Sequence, residues 1–142
     1  MIESNGEKWM EKPLLEWLER RRRVRHDTIV QREFPWFQRR IDLVTLTCSG
    51  AASAYELKLN NNKRAIHQAA YNKLVFDRSY VVTVSEPTEE MLKYARDVDV
   101  GFIVFKEDCV KMVQESPRGQ VPDTLRKRLH HTIKGIKVEL NV

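Results

Sequence analysis

The chain has 142 residues, 42% of them hydrophobic and 32% charged, which suits one globular domain and excludes global disorder. Its net charge of +5 favours a polyanionic partner. Cys48 and Cys109 lack paired-ligand spacing, which excludes a disulfide framework and a zinc-finger-type site.

No apolar run approaches a membrane span, and no apolar signal-peptide core opens the chain. The expectation is an intracellular, cytoplasmic, reduced and soluble protein that does not engage a membrane. Cys48 and Cys109 are expected to be buried as small apolar residues.

Residues 1–6 are polar and predicted to fray. From about Glu7 to Arg23, Trp9, Met10, Leu14, Leu15, Trp17 and Leu18 fall mostly at helical spacing, which predicts an amphipathic helix. Pro13 marks its first turn, and the run Arg20 to Arg23 falls at its C-terminal end, where positive charge suits the helix dipole. Strands are predicted over Thr28 to Phe34 and Arg39 to Thr47, joined by a turn at Pro35-Trp36-Phe37. Ser49-Gly50 turns the chain into a third strand, Ala54 to Leu59. Asn62 then N-caps a helix running to about Asp77.

Ser79 to Val84 is nearly continuously apolar and reads as a central strand. A helix over Thr88 to Arg96, a buried strand over Val100 to Phe105 and a short edge strand over Cys109 to Val113 follow. A basic helix from Pro122 to Lys134 ends at Gly135, and Ile136 to Leu140 is read as a final strand. The order α-β-β-β-α-β-α-β plus a small C-terminal appendage makes residues 1–142 a single α/β domain. An antiparallel meander comes first and a parallel crossover later.

The chemistry concentrates on the second and third strands. Side chains alternate along a strand, so Glu56 and Lys58 share one face while Tyr55, Leu57 and Leu59 share the core face. Asp42 lies between Ile41 and Leu43, and Glu56 follows it by 14 positions. That spacing includes a turn and lets antiparallel strands set the two carboxylates side by side. Such a pair repels itself, and burial raises the cost. A hard divalent cation relieves it, because Mg²⁺ takes one or two carboxylates and completes its shell with water and phosphate oxygens. Lys58 adds positive charge at the same spot. These parts suit phosphodiester hydrolysis.

Ile41-Asp42 followed by Glu56-Leu57-Lys58 resembles the PD-(D/E)xK nuclease superfamily, over roughly Glu7 to Phe105. The element order is similar to its restriction-endonuclease-like core, a mixed central sheet flanked by helices. The spacing and early helix look similar to archaeal Holliday-junction resolvases. The resemblance implies a Mg²⁺-dependent DNA endonuclease, with Mn²⁺ as a substitute. Asp42, Glu56 and Lys58 would be catalytic. Asp42, Glu56, the Leu57 carbonyl and Glu11 would be metal ligands, with Glu16 and Glu19 as rivals of Glu11. Gln68 matches a glutamine found in part of the superfamily, but Tyr71 follows it at three residues rather than the four of that sub-motif. Ile41 stands where the motif's name has proline.

Gln68, Arg39, Arg40 and Lys63 are the candidate DNA-binding residues, and a homodimer is expected because duplex cutting needs two sites. Other readings stay open. Asp42 pairs with Arg39 or Arg40 on a solvated face, the fold is a silent DNA-binding or assembly subunit, or the resemblance is accidental. Trp36 and Phe37 read as core or dimer residues, with a DNA-stacking role as the rival.

Overall fold

The computed structural model describes residues 6–60, 62–107 and 109–136. A short 3-10 turn, Lys8–Met10, leads into α1 (Glu11–Arg20). Then come β1 (Ile29–Trp36), β2 (Arg39–Leu46), β3 (Ala52–Lys58), α2 (Lys63–Lys73), β4 (Arg78–Thr83), α3 (Glu89–Asp97), β5 (Gly101–Lys106), β6 (Cys109–Gln114) and α4 (Asp123–Gly135).

The six strands form one mixed sheet in chain order. β1, β2 and β3 are an antiparallel meander. The β3-α2-β4 and β4-α3-β5 units run parallel, and β6 returns antiparallel to β5 at the sheet edge. This is an α/β fold compatible with the restriction-endonuclease-like core.

Alternation along the strands divides the core. Leu14, Trp17 and Leu18 of α1 bury against Leu43, Tyr55, Leu57, Tyr80, Val82 and Ile103. The opposite face carries α2 and α3, whose Ile66, Ala69, Met91 and Ala95 pack on Val81 and Phe102. α4 covers the far part of the meander through Leu129 and Ile133, against Val44, Ala52 and Phe76. Each fully buried aliphatic or aromatic side chain contributes about 1.5–3 kcal/mol, so three covering surfaces of this size suffice to hold a sheet whose outer strands lack a second partner.

Several boundaries differ from the sequence reading. Pro35 and Trp36 belong to β1 rather than to the turn, because β1 is an edge strand and an edge tolerates proline. α2 stops at Lys73, where the amides of Leu74 and Val75 bond back only three residues, and Asn62 caps it as expected by accepting from the Ala65 amide at 2.9 Å. β3 ends at Lys58, so Leu59 is exposed instead of entering the core. Cys48 and Cys109 are exposed free thiols, since one sits in a turn and the other opens an edge strand. The expected strand over Ile136 to Leu140 and the fraying of residues 1–6 lie almost wholly outside the described residues. Among the described residues no helix is long and apolar enough to cross a membrane.

Candidate active site

The main-chain ladder between β2 and β3 runs from Leu46↔Ala52 to Leu43↔Tyr55. One residue beyond it, the Asp42 side chain takes over. Its Oδ2 accepts the Leu57 main-chain N–H at 2.8 Å, bridging the strands where main-chain pairing has ended. The next residue on that face of β3 is Glu56, only 2% exposed. Its Oε2 accepts from Asn72 Nδ2 of α2 at 2.9 Å and lies 3.6 Å from Arg39 Nη2. Asp42 and Glu56 are close enough that each acts on the other's ionisation. The sheet has therefore brought the two carboxyls together, as the sequence spacing allows.

Their electrostatics follow from that placement. Burial pushes the Asp42 carboxyl above its ordinary range, against the pull of the Leu57 amide and the Lys58 ammonium, with Glu33 adding a further push upward. Burial first, and the Asp42 charge second, push Glu56 up to about 7, although Asn72, Arg39 and Lys58 all favour its ionised form. Lys58 is half-buried and near enough to act on both groups. The pair cannot hold two full negative charges cheaply without a cation.

On the outer side, Asp42 and Leu57 open into a cleft of about 190 Å³ that Glu7, Glu11, Glu33, Lys8 and Arg40 also line. Glu11 shares this cleft, whereas Glu16 and Glu19 line a separate groove between α1 and β1 with Lys12 and His26. Glu11 is thus the one of the three early glutamates beside Asp42. Its carboxylate pairs with Arg32 Nε at 3.0 Å. Glu33, which sequence reasoning missed, faces Lys8 at 3.1 Å and Arg40 at 3.5 Å.

The donor chemistry fits a hard divalent ion. Two carboxylates, with main-chain, water or phosphate oxygens beside them, are a sufficient protein contribution for Mg²⁺. Among the described residues no group of three or more His, Cys, Asp or Glu gathers as a metal-holding set, so the fit rests on Asp42 and Glu56.

The expected DNA-binding residues separate. Arg39 is built into the site: Nη1 donates to Asn72 Oδ1 at 2.6 Å and Nη2 to the Gln68 carbonyl at 3.4 Å, with the guanidinium 5.7 Å from the Tyr71 ring centre. Arg40 and Lys63 are exposed, Arg40 on the Asp42 cleft and Lys63 at the start of α2. Gln68 lines an open cavity with Arg39 and Tyr71 that shares no lining residue with the Asp42 cleft. Asn72, 1% exposed, is the organising residue that sequence reading passed over. A polar residue near a helix end reads as solvated, and the only available signal was its helical spacing from Gln68.

The basic runs Arg20 to Arg23 and Arg126-Lys127-Arg128 also divide. Arg23 donates to the Tyr80 hydroxyl at 2.8 Å and pairs with Glu115, and Arg21 stacks on Trp17. Arg126 is bound to buried Asp77 at 2.7 Å. Lys127 and Arg128 are exposed. Trp36 is buried, as a core residue should be, and Phe37 is exposed.

No protein-family model and no curated protein matches the chain. Among solved structures it is similar to the SPO1766 protein of unknown function from Silicibacter pomeroyi. The TM-score is 0.58 at 18% identity, over 77% of this chain and 73% of that one. That likeness shows a shared fold. A fainter likeness, TM-score 0.41 at 15% identity, is to Pyrococcus furiosus SfsA, solved in complex with Ca²⁺; it covers 82% of this chain but only 63% of that one.

Proposed function

We propose that this chain is a Mg²⁺-dependent DNA endonuclease of the PD-(D/E)xK type, with Asp42, Glu56 and Lys58 as its catalytic set. The observation that supports the reading is the Asp42–Glu56 pair: two carboxyls on adjacent strands, both raised above their ordinary pKa by burial, Glu56 further by the Asp42 charge, with a lysine acting on both. Perturbed acids paired at the floor of a cleft are a recognised mark of a catalytic site, and here Asp42 reaches the cleft while Glu56 lies buried behind it.

Asp42 and Glu56 would hold the cation, with the Leu57 carbonyl and Glu11 as its further neighbours on the cleft. Bound there, Mg²⁺ supplies Lewis-acid polarisation of a phosphate oxygen and a more acidic water. The protein's own residues do the rest. The Leu57 amide fixes the Asp42 carboxylate. Asn72 and Arg39 fix Glu56 from the α2 side. Lys58 orients the attacking water and offsets charge developing on the phosphoryl oxygens. Arg40 and Lys63 stand exposed on the two sides of the site to hold the DNA backbone.

A second reading has its own observation. Glu11 is already paired with Arg32, and Glu56 is already served by Asn72 and Arg39. A site so internally satisfied suits a silent DNA-binding subunit that keeps the inherited arrangement.

One assay separates the two. Supercoiled plasmid, linear duplex, single strand and a four-way junction are incubated with Mg²⁺, Mn²⁺ or EDTA, beside Asp42→Ala and Lys58→Ala. Metal-dependent cutting lost in both variants is the expected result. DNA binding without cutting by the native chain would move the reading to the silent subunit.

A further inference from the structure

Distinct from the Asp42 cleft is an open cavity of about 640 Å³ lined by Phe37, Arg39, Arg64, His67, Gln68 and Tyr71. Two of its walls are aromatic rings left in solvent: Phe37 is 69% exposed and Tyr71 67%. Each carries a guanidinium against its ring, Arg128 at 5.4 Å from Phe37 and Arg39 at 5.7 Å from Tyr71. Cations and aromatics interleaved in this way are what binds single-stranded nucleic acid, the cations taking phosphates and the rings taking base faces.

Two further features argue against an accidental patch. Phe37 sits at the tip of the β1–β2 hairpin with φ +59°, a left-handed conformation that glycine or asparagine adopts readily and a bulky aromatic residue adopts under strain. A hairpin built for stability alone would not hold phenylalanine there, exposed. In addition, the Gln68 side-chain oxygen is buried with no hydrogen-bond partner among the described residues. A buried orphan acceptor is costly, and an N–H on a base edge would satisfy it.

We propose that this cavity binds an unstacked nucleobase on Phe37 and Tyr71, so that the chain engages DNA through a single-stranded segment beside the Asp42–Glu56 pair. Arg39 links the two places, since it touches both the Tyr71 ring and the Glu56 carboxylate. A base held in the cavity would set its neighbouring phosphate next to the carboxyl pair. The inference rests on the nuclease reading for the identity of the polymer, and it names the form of DNA that this reading leaves open.

The test uses the full chain in EDTA, so that binding is read without cleavage. Fluorescence anisotropy compares three labelled probes at physiological salt: an oligothymidylate, an abasic strand with the same number of phosphates, and a blunt duplex. The expected order is oligothymidylate tightest, with the abasic strand at least about fivefold weaker, the low end of what one aromatic–base stack contributes. Phe37→Gly and Tyr71→Ala should each weaken oligothymidylate by at least about fivefold and leave the abasic strand unchanged. Phe37→Gly should melt no lower than the native chain, because it relieves the strained φ. Equal affinity for the abasic strand and oligothymidylate would overturn the proposal, as would tighter binding of the duplex or native affinity in both variants. Absence of DNA binding would overturn it too. The nuclease reading is judged separately, by metal-dependent cleavage.

Discussion

Asp42 Oδ2 accepts the Leu57 main-chain N–H at 2.8 Å, so one side chain both closes the β2–β3 pair and presents a carboxyl next to Glu56. Asparagine keeps an oxygen acceptor for that amide and removes the charge that opposes Glu56. Asp42→Asn is therefore expected to be at least as stable to urea as the native chain at about pH 8, while Asp42→Ala falls about 1 kcal/mol below Asp42→Asn for want of the acceptor. Both should lose cleavage by about 100-fold or more. Unfolding curves and plasmid nicking on the same samples check the two effects together. An asparagine variant that cuts normally would remove Asp42 from the site.

Glu56 makes stability depend on pH in an unusual direction. Its folded pKa of about 7 lies above the ordinary 4.5, so between those values the folded chain holds a proton that the unfolded chain has released. The contribution is full below the unfolded value and is lost as pH rises through the folded one. The slope is at most about 1.4 kcal/mol per pH unit. Glu56→Gln should flatten it. A divalent ion must displace the same proton, so Mg²⁺ should raise the melting temperature at about pH 8 and not at about pH 5. Thermal melts across pH, with and without Mg²⁺, read both effects.

Asn72 bridges Glu56 and Arg39, at 2.9 Å to one and 2.6 Å from the other. Replacing it with leucine leaves a buried carboxyl without its donor and should cost about 1.5–3 kcal/mol, the range for hydrogen bonds to charged groups. Asn72→Asp places a second carboxyl against Glu56. It should push Glu56 further above 7 and move the Mg²⁺-dependent melting shift to higher pH. An unmoved shift would separate Asn72 from the site.

The strand pair was legible because period-two alternation needs no knowledge of partners: Leu57 and Tyr55 on one face left Glu56 and Lys58 on the other. The α2 cap was legible for a similar reason, since Asn62 acts on its own helix. Asn72 was not, because its role exists only across the gap to β3 and β2. Leu59 has the core parity of Tyr55 and Leu57, but alternation does not show where a strand ends, and β3 stops one residue earlier. Residue type alone makes the cysteines core candidates, whereas their positions in a turn and at an edge decide exposure. Two equivalents of a thiol reagent should accordingly react with the folded chain without denaturant, at Cys48 and Cys109. Reaction of fewer would contradict that placement.

Charge clusters carry no label saying which members serve the fold. In Arg126-Lys127-Arg128 the helix makes that assignment. Arg126 Nη1 lies 2.7 Å from Asp77 Oδ1, and Asp77, 2% exposed, also accepts the Ala52 N–H at 2.8 Å through Oδ2. This ties α4 to the start of β3. Arg118 lies farther from the same carboxylate, at 3.9 Å, and cannot replace Arg126 without moving. Arg126→Ala leaves a buried charge poorly paired and should cost about 3 kcal/mol. Arg128 is exposed, with its guanidinium over Phe37, so Arg128→Ala should change stability by less than about 0.5 kcal/mol and instead weaken DNA binding and flatten its salt dependence. Urea titrations and salt-dependent anisotropy on both variants decide the assignment. If Arg128→Ala unfolds the chain and Arg126→Ala does not, Arg128 rather than Arg126 anchors α4.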